Sequence, residues 1–220
     1  MPILLTLLFA SLLFGIFRIY QLKKLKEQID VTRIEGIAGN SLSNEMKGIR
    51  ATARAKGLEG ELGIAKILED LAEQYGFAVF HDLSIPGTKA NIDHLVVQKK
   101  TVLVIDAKNY QGRVNIKKDS KGQWQLYVGK YRQTQLALKL KGYAEKVESH
   151  LKSEGVEVRV VPLLAFYNAE FHPDSKYVIQ GVQVNVSGIK NELMRFAVRK
   201  GPEIDVNLVS NLILKEFKFK

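Results

Sequence analysis

Between Leu58 and Tyr75 the apolar positions Leu58, Leu62, Ala65, Leu68, Leu71 and Ala72 recur at about 100° per residue, which predicts an amphipathic helix. Glu59, Lys66, Glu69 and Glu73 fall on its outer side, but Glu61 falls in the middle of the apolar side. A carboxylate there is costly unless it is paired or bound to metal. Glu61 is therefore either a site residue or an acid at the stripe's edge that reaches back to water. After the helix the period changes to two. Phe77 to Ile85 reads as a strand ended by Pro86-Gly87, followed by β-branched runs at Ile92 to Val97 and Val102 to Ile105 around Gln98-Lys99-Lys100-Thr101. Further strands are predicted at Trp124 to Val128, Val156 to Phe166 and Tyr177 to Val186. Pro162 marks a bulge or an edge position within the second of these. Gln133 to Leu151 has helical spacing, and helices are expected near Gly188 to Val198 and Asp205 to Phe217. Helices flanking a mixed sheet make the fold class α/β, and Trp124 is assigned to its core.

A hairpin centred between Lys99 and Lys100 places Asp93 directly opposite Asp106 and Asn91 opposite Lys108, with all four side chains on one face. Like charges facing each other on neighbouring strands destabilise the pair. A divalent cation between Asp93 and Asp106 would relieve that repulsion through the oxygen ligands that a hard ion such as Mg²⁺ prefers. Taken alone, an Asp-x-Lys at a solvated strand end, with Lys108 paired to Asp106, explains the same residues.

The segment before the helix has a different character. From Met1 to Phe17 no side chain is charged, a minimal membrane span given the roughly 17–25 residues such a span needs. Arg18, Lys23, Lys24 and Lys26 follow, and by the positive-inside rule they hold everything after them in the cytoplasm. A cleaved signal peptide fits less well, because no basic stretch precedes the run and no small-x-small site follows it. The expected organisation is an anchor at 1–20, a basic juxtamembrane segment and tether at 21–52, a main domain at 53–170, and a C-terminal strand and helices at 171–220 packed on it. With no cysteine among 220 residues, disulfides, cysteine zinc sites and cysteine nucleophiles are excluded. The net charge of +10 and pI near 9.6 suit a polyanion or an anionic membrane surface.

Glu61 on a helix, Asp93 on one strand and Asp106-Ala107-Lys108 on the next form an ordered set. It resembles the PD-(D/E)xK nuclease superfamily and, more closely, the NERD (nuclease-related) domain. The matching pieces are Lys56-Gly57-Leu58-Glu59-Gly60-Glu61, Asn91-Ile92-Asp93-His94-Leu95-Val96-Val97 and Val104-Ile105-Asp106-Ala107-Lys108-Asn109-Tyr110, then Gly112, Trp124 and a Gln opening the next helix. They cover residues 55 to 170. The resemblance implies a restriction-endonuclease-like core. It implies that Asp93 and Asp106 ligate Mg²⁺ or Mn²⁺, with the Ala107 carbonyl as a further ligand and Glu61 orienting water or helping with a second ion. Lys108 would position or deprotonate the attacking water and steady negative charge, and Gln135 would position Lys108 or a phosphate. The family's Asn-Pro dipeptide before that Gln is Tyr131-Arg132 here, so Gln133 is the alternative equivalent. Where the family often has Glu, this chain has Asp106, which keeps the carboxylate.

Lys99, Lys100, Arg113, Lys117, Lys118, Lys121, Lys130 and Arg132 lie around these motifs in sequence, a set suited to tracking a phosphate backbone. The expectation is a membrane-tethered, metal-dependent nuclease facing the cytoplasm at the inner membrane, with DNA as the expected nucleic acid. The alternatives are a non-catalytic nucleic-acid-binding or scaffold module on the same fold, and a membrane adaptor that binds anionic lipid.

Overall fold

A computed structural model describes residues 33–40, 51–186 and 188–220. In chain order the elements are β1 (Arg33–Glu35), α1 (Ala51–Tyr75), β2 (Ala78–Ser84), β3 (Asn91–Gln98), β4 (Thr101–Lys108), β5 (Arg113–Lys118), β6 (Trp124–Val128) and β7 (Tyr131–Arg132). Then follow α2 (Thr134–Ser153), β8 (Arg159–Phe166), β9 (Glu170–Phe171), β10 (Val178–Ile179), β11 (Val182–Val186), α3 (Ile189–Ala197) and α4 (Val206–Glu216). The expected anchor and most of the segment after it lie outside the described residues. Among the described residues no helix is long and apolar enough to cross a membrane.

Seven strands form a mixed sheet in the order β1-β2-β3-β4-β8-β11-β10, and β7-β6-β5-β9 form a smaller one. The long apolar runs are the strands buried on both faces, as expected where helices cover a sheet on both sides. On one face Leu103, Ile105 and Leu163 pack against Leu68 and Leu71 of α1 and Leu193 and Phe196 of α3. On the other, Val102, Val104 and Leu164 pack against Leu140 and Val147 of α2, Val209 and Ile213 of α4, and Val114, Ile116 and Leu126 of the small sheet. The result is a three-layer α/β molecule with β4 and β8 at its centre.

Several sequence expectations are corrected by this arrangement. Arg33–Glu35, read as tether, pair in parallel with Ala78 to Phe80 and extend the sheet. The single strand read at Tyr177 to Val186 is a hairpin. Gln180 and Gly181 both have positive φ, the requirement of a two-residue turn between twisted strands. The basic segment Arg113 to Lys118 is a strand, antiparallel to Trp124–Val128. Trp124 is not in the core. It is 39% exposed, with Lys118 Nζ 5.4 Å from its ring centroid. Leu62 also leaves the buried stripe of α1 and is exposed. Pro162 pairs with Val104 on one side and precedes the residues of β8 that pair with β11, so it has edge character on the other.

Candidate active site

Glycines set how closely α1 approaches the end of β4. A Cβ on Gly60 would come within 2.7 Å of the Asn109 Cβ, and one on Gly63 would overlap the Tyr167 ring. Their absence lets the helix lie directly on the segment that follows β4. Asn109 Nδ2 secures the contact by donating to the Lys56 carbonyl at 3.0 Å and to Glu59 Oε2 at 3.1 Å. Glu61, between those glycines, thereby stands beside the strand end and is 6% exposed.

Across the sheet the β3–β4 ladder runs from Gln98↔Thr101 to His94↔Ile105, and the same register carries Asp93 to Asp106. At that step a side chain takes over from the ladder. Asp93 Oδ2 accepts the Ala107 N–H at 2.9 Å. Lys108 Nζ donates to Asp106 Oδ1 at 2.6 Å and to the Ala107 carbonyl at 2.9 Å, and lies 3.6 Å from Asp93 Oδ2. One ammonium thus sits among three oxygens from two carboxylates and a carbonyl. Glu61 and Lys108 line a cleft of about 500 Å³ together with Lys56, Tyr110, Tyr131 and Gln133.

One positive charge does not balance this many carboxylates out of water. Burial pushes Asp93 well above the ordinary aspartate range. Lys108 opposes that rise, while Asp106 and Glu61 add to it. Burial likewise raises Glu61 to about 7, against Lys108 and with help from Asp82 and Asp106. For Lys108, burial favours the neutral amine, but Asp93 and Asp106 outweigh it and hold the ammonium above the usual lysine range. In this arrangement Lys108 is a fixed positive charge rather than a base.

The donor chemistry suits a hard divalent cation. Every group around Lys108 Nζ is an oxygen, and both Asp93 and Glu61 hold protons more tightly than free carboxylates do. Among the described residues no three His, Asp or Glu side chains converge as a ready ligand cluster. The available set is Asp93, Asp106 and the Ala107 carbonyl, and Mg²⁺ is commonly bound through one or two carboxylates with several waters retained.

A profile of the nuclease-related domain matches residues 56–167, just over half of the chain. The chain belongs to the nuclease-related domain family. The matched stretch opens at Lys56, where α1 meets Asn109, and closes at Tyr167, the residue that packs over Gly63. No curated protein and no solved structure matches the chain.

Within this nuclease-related domain the other expected residues fall in different places. Gln135 is exposed on the first turn of α2. Thr134 is turned inward, donating to Gln125 Oε1 at 2.7 Å and accepting from the Leu126 N–H at 3.0 Å, which rotates the next residue outward. Gln133, the alternative, lines the cleft. The Asn91 amide donates to Asp82 Oδ1 at 2.6 Å, so it is Asp82 rather than Lys108 that it serves. Lys130 and Arg132 flank Tyr131, which lines the cleft, in sequence, and Arg113 opens β5. Lys117 and Lys118 lie at the far end of β5, about 13–17 Å beyond Arg113 at ~3.3 Å per residue. Lys99 and Lys100 form the β3–β4 turn, about 23 Å along β4 from Lys108 at the same rise. They do not belong to the cleft.

Asp82 was missed from sequence. It is 2% exposed, has a φ of 57°, and its charge acts on Glu61. The β2–β3 register passes from His81↔His94 to Leu83↔Ile92 and so carries Asp82 to Asp93, aligning Asp82, Asp93 and Asp106 across three adjacent strands. The available signal was a His81-Asp82 pair interrupting an otherwise apolar strand.

Proposed function

We propose that this nuclease-related domain is a divalent-metal-dependent nuclease of the PD-(D/E)xK type on a restriction-endonuclease-like core. In this reading it is tethered to the membrane through residues 1–20, has its cleft in the cytoplasm and takes DNA as the expected substrate. The observation that supports this best is the meeting of Asp93, Asp106 and Lys108 at the end of β4, with Glu61 brought alongside by α1. Asp93, Asp106 and the Ala107 carbonyl would hold Mg²⁺ or Mn²⁺. When bound, the cation supplies Lewis-acid polarisation of the phosphoryl group and a more acidic water.

The chain's own residues do the rest. Lys108, held as an ammonium, stabilises charge that develops on the phosphoryl oxygens. Glu61, raised to about 7, is poised to take a proton from a water at the cleft floor near neutral pH. The Ala107 N–H holds Asp93 beside Lys108 by donating to its Oδ2. Gln133 in the cleft, with Lys130 and Arg132 next to Tyr131 in sequence, would give phosphate-backbone contacts without base readout.

The test is cleavage of labelled plasmid, linear duplex, single-stranded DNA and RNA by the full chain in Mg²⁺, Mn²⁺ or EDTA. Asp106→Ala and Lys108→Ala are expected to lose at least a hundredfold in rate, on the order of the ~2.7–4 kcal/mol that one transition-state charge contact supplies. Absence of cleavage by folded protein, with nucleic-acid binding equal in both variants, would instead leave a tethered binding module.

A further inference from the structure

The end of the large sheet opposite the cleft carries its own group of cations. Thr101 pairs with Arg159, so the β3–β4 turn with Lys99 and Lys100 lies beside the start of β8. Arg195 and Arg199 come to the same end from α3 and the residues after it. The Arg159 and Arg195 guanidinium carbons lie 5.9 Å and 4.7 Å from the Phe196 ring centroid, one ring between two arginines. Lys100, Arg159, Arg199 and Lys200 line a groove of about 230 Å³ in which Glu157 is the one acidic residue. Lys100 is 3.6 Å from Glu203 and Arg195 is 2.6 Å from Glu192, but Arg159, Arg199 and Lys200 enter no ion pair among the described residues. Burial, then Arg199 and Arg195, push the Arg159 guanidinium below the usual arginine value. Such crowding of like charge is unfavourable unless an external anion offsets it.

The direction from which the chain arrives identifies that anion. Arg33 pairs with Ala78, the first residue of β2, and Ala78 pairs with Val97, two residues before Lys99. β1 therefore begins at this basic end of the sheet, and residues 1–32 precede it in the chain. In sequence they comprise the uncharged run Met1 to Phe17 followed by Arg18, Lys23, Lys24 and Lys26. β1 and β8 are four strands apart, about 19 Å at ~4.8 Å per strand. A nucleic acid held at this end would lie about 23 Å along β4 from Lys108.

We propose that Arg159, Arg199 and Lys200, with Lys99 and Lys100, form a docking surface for an anionic lipid bilayer that holds the basic end of the sheet on the membrane and turns the cleft away from it. The proposal extends the tethered reading but does not require nuclease activity. Basic residues near an anionic bilayer contribute about 1 kcal/mol each, so three of them change partitioning on the order of a hundredfold.

The chain has no cysteine, so single labels can be placed at will. In the full chain, Ser153→Cys marks the basic end and Lys89→Cys the cleft end, and energy transfer to a lipid acceptor is read with phosphatidylcholine vesicles with or without phosphatidylglycerol. With phosphatidylglycerol, transfer from position 153 should exceed that from position 89. Combining Arg159→Gln, Arg199→Gln and Lys200→Gln should erase the difference, with solution cleavage rates unchanged. Glu157→Lys, which adds a cation to the groove, should widen the difference. Binding through the cluster without insertion would support the docking surface and sink the anchor. Equal transfer from both labels, or a triple variant that loses nucleic-acid affinity but keeps the difference in transfer, would overturn the proposal.

Discussion

Glu61 shows how much a single position in a sequence can disclose. Its place in the apolar stripe with Ala65 and Leu68 was visible from spacing alone, and the structure buries all three. Spacing did not show why the helix can lie so near β4, because that depends on what is missing at Gly60 and Gly63. Gly63→Ala should drive a methyl into the Tyr167 ring and cost about 1–3 kcal/mol, the usual range for overpacking, measurable as a lower urea midpoint. Asp82 was hidden for the opposite reason, since its importance comes from cross-strand neighbours rather than from its own segment. Asp82→Asn keeps a side chain that tolerates positive φ and removes one negative charge near Glu61. The Glu61 pKa should then fall below about 7, visible in an NMR titration of its carboxyl carbon in metal-free protein. An unchanged Glu61 titration would show that Asp82 exerts no charge effect there. The sequence left Gln133 and Gln135 as alternatives, because which of them lines the cleft depends on the hydrogen bonds that turn Thr134 inward.

At the scale of elements, the β2–β3 pair holds two histidines that look scattered in sequence. His81 and His94 are cross-strand partners, and their Nδ1 atoms are 2.8 Å apart, so one must donate and the other accept. Among the described residues His94 Nε2 has no hydrogen-bond partner, and His81 Nε2 lies 3.1 Å from Glu69 Oε1 but out of line for a hydrogen bond. Burial lowers His81 to about 4, against Asp82, and lowers His94 well below its ordinary 6.5. Both are neutral in the fold, and the unfolded chain binds protons that the folded chain refuses. The histidines' contribution to stability is therefore fully present above pH 6.5 and falls as pH drops toward about 4, by up to about 1.4 kcal/mol per pH unit for each, while Glu61 and Asp93, whose protons the fold holds more tightly, act in the opposite sense. His81→Gln removes one of these losses, so relative to the unsubstituted chain its urea midpoint should fall less, or rise more, between pH 7 and pH 5. Elements were legible where the period was long and regular, as in α1, α2, β3 and β4. The β10–β11 hairpin was not, because Gln180-Gly181 is a weak turn signal inside a run of alternating valines. β5 was obscured by its charge, since only Val114 and Ile116 face inward.

For the molecule as a whole, the sheet is extended by a strand that sequence reasoning had assigned to a linker. Beyond the pairing of β1 with β2, a Cβ on Gly36 would touch the Phe219 ring, and Asn40 Nδ2 donates to the Lys220 carbonyl at 2.6 Å. A fragment beginning at residue 51 loses all of these contacts and leaves β2 as an edge. It should unfold at a lower urea concentration than one beginning at residue 31, by about 1–3 kcal/mol for the strand pairs and the exposed ring. Equal midpoints would show that β1 adds nothing to stability. The α/β class and the order of the site residues could be read in advance, because both follow from local periods. The separation of the cations between the two ends of the sheet could not, because it depends on which strand ends lie together.

The central position of β4 also bears on the site's dynamics. Asp106 and Lys108 sit on a strand paired with β3 on one side and β8 on the other, whereas Glu61 is carried by the N-terminal half of α1 and neighbours the segment around Gly39. Backbone amides of β4 should exchange with deuterium only through global unfolding, while those of Gly57 to Glu61 exchange through local opening. The carboxylates and lysine on the sheet would then form the fixed jaw of the cleft, with Glu61 on a separate cooperative unit that can swing away while the sheet stays intact.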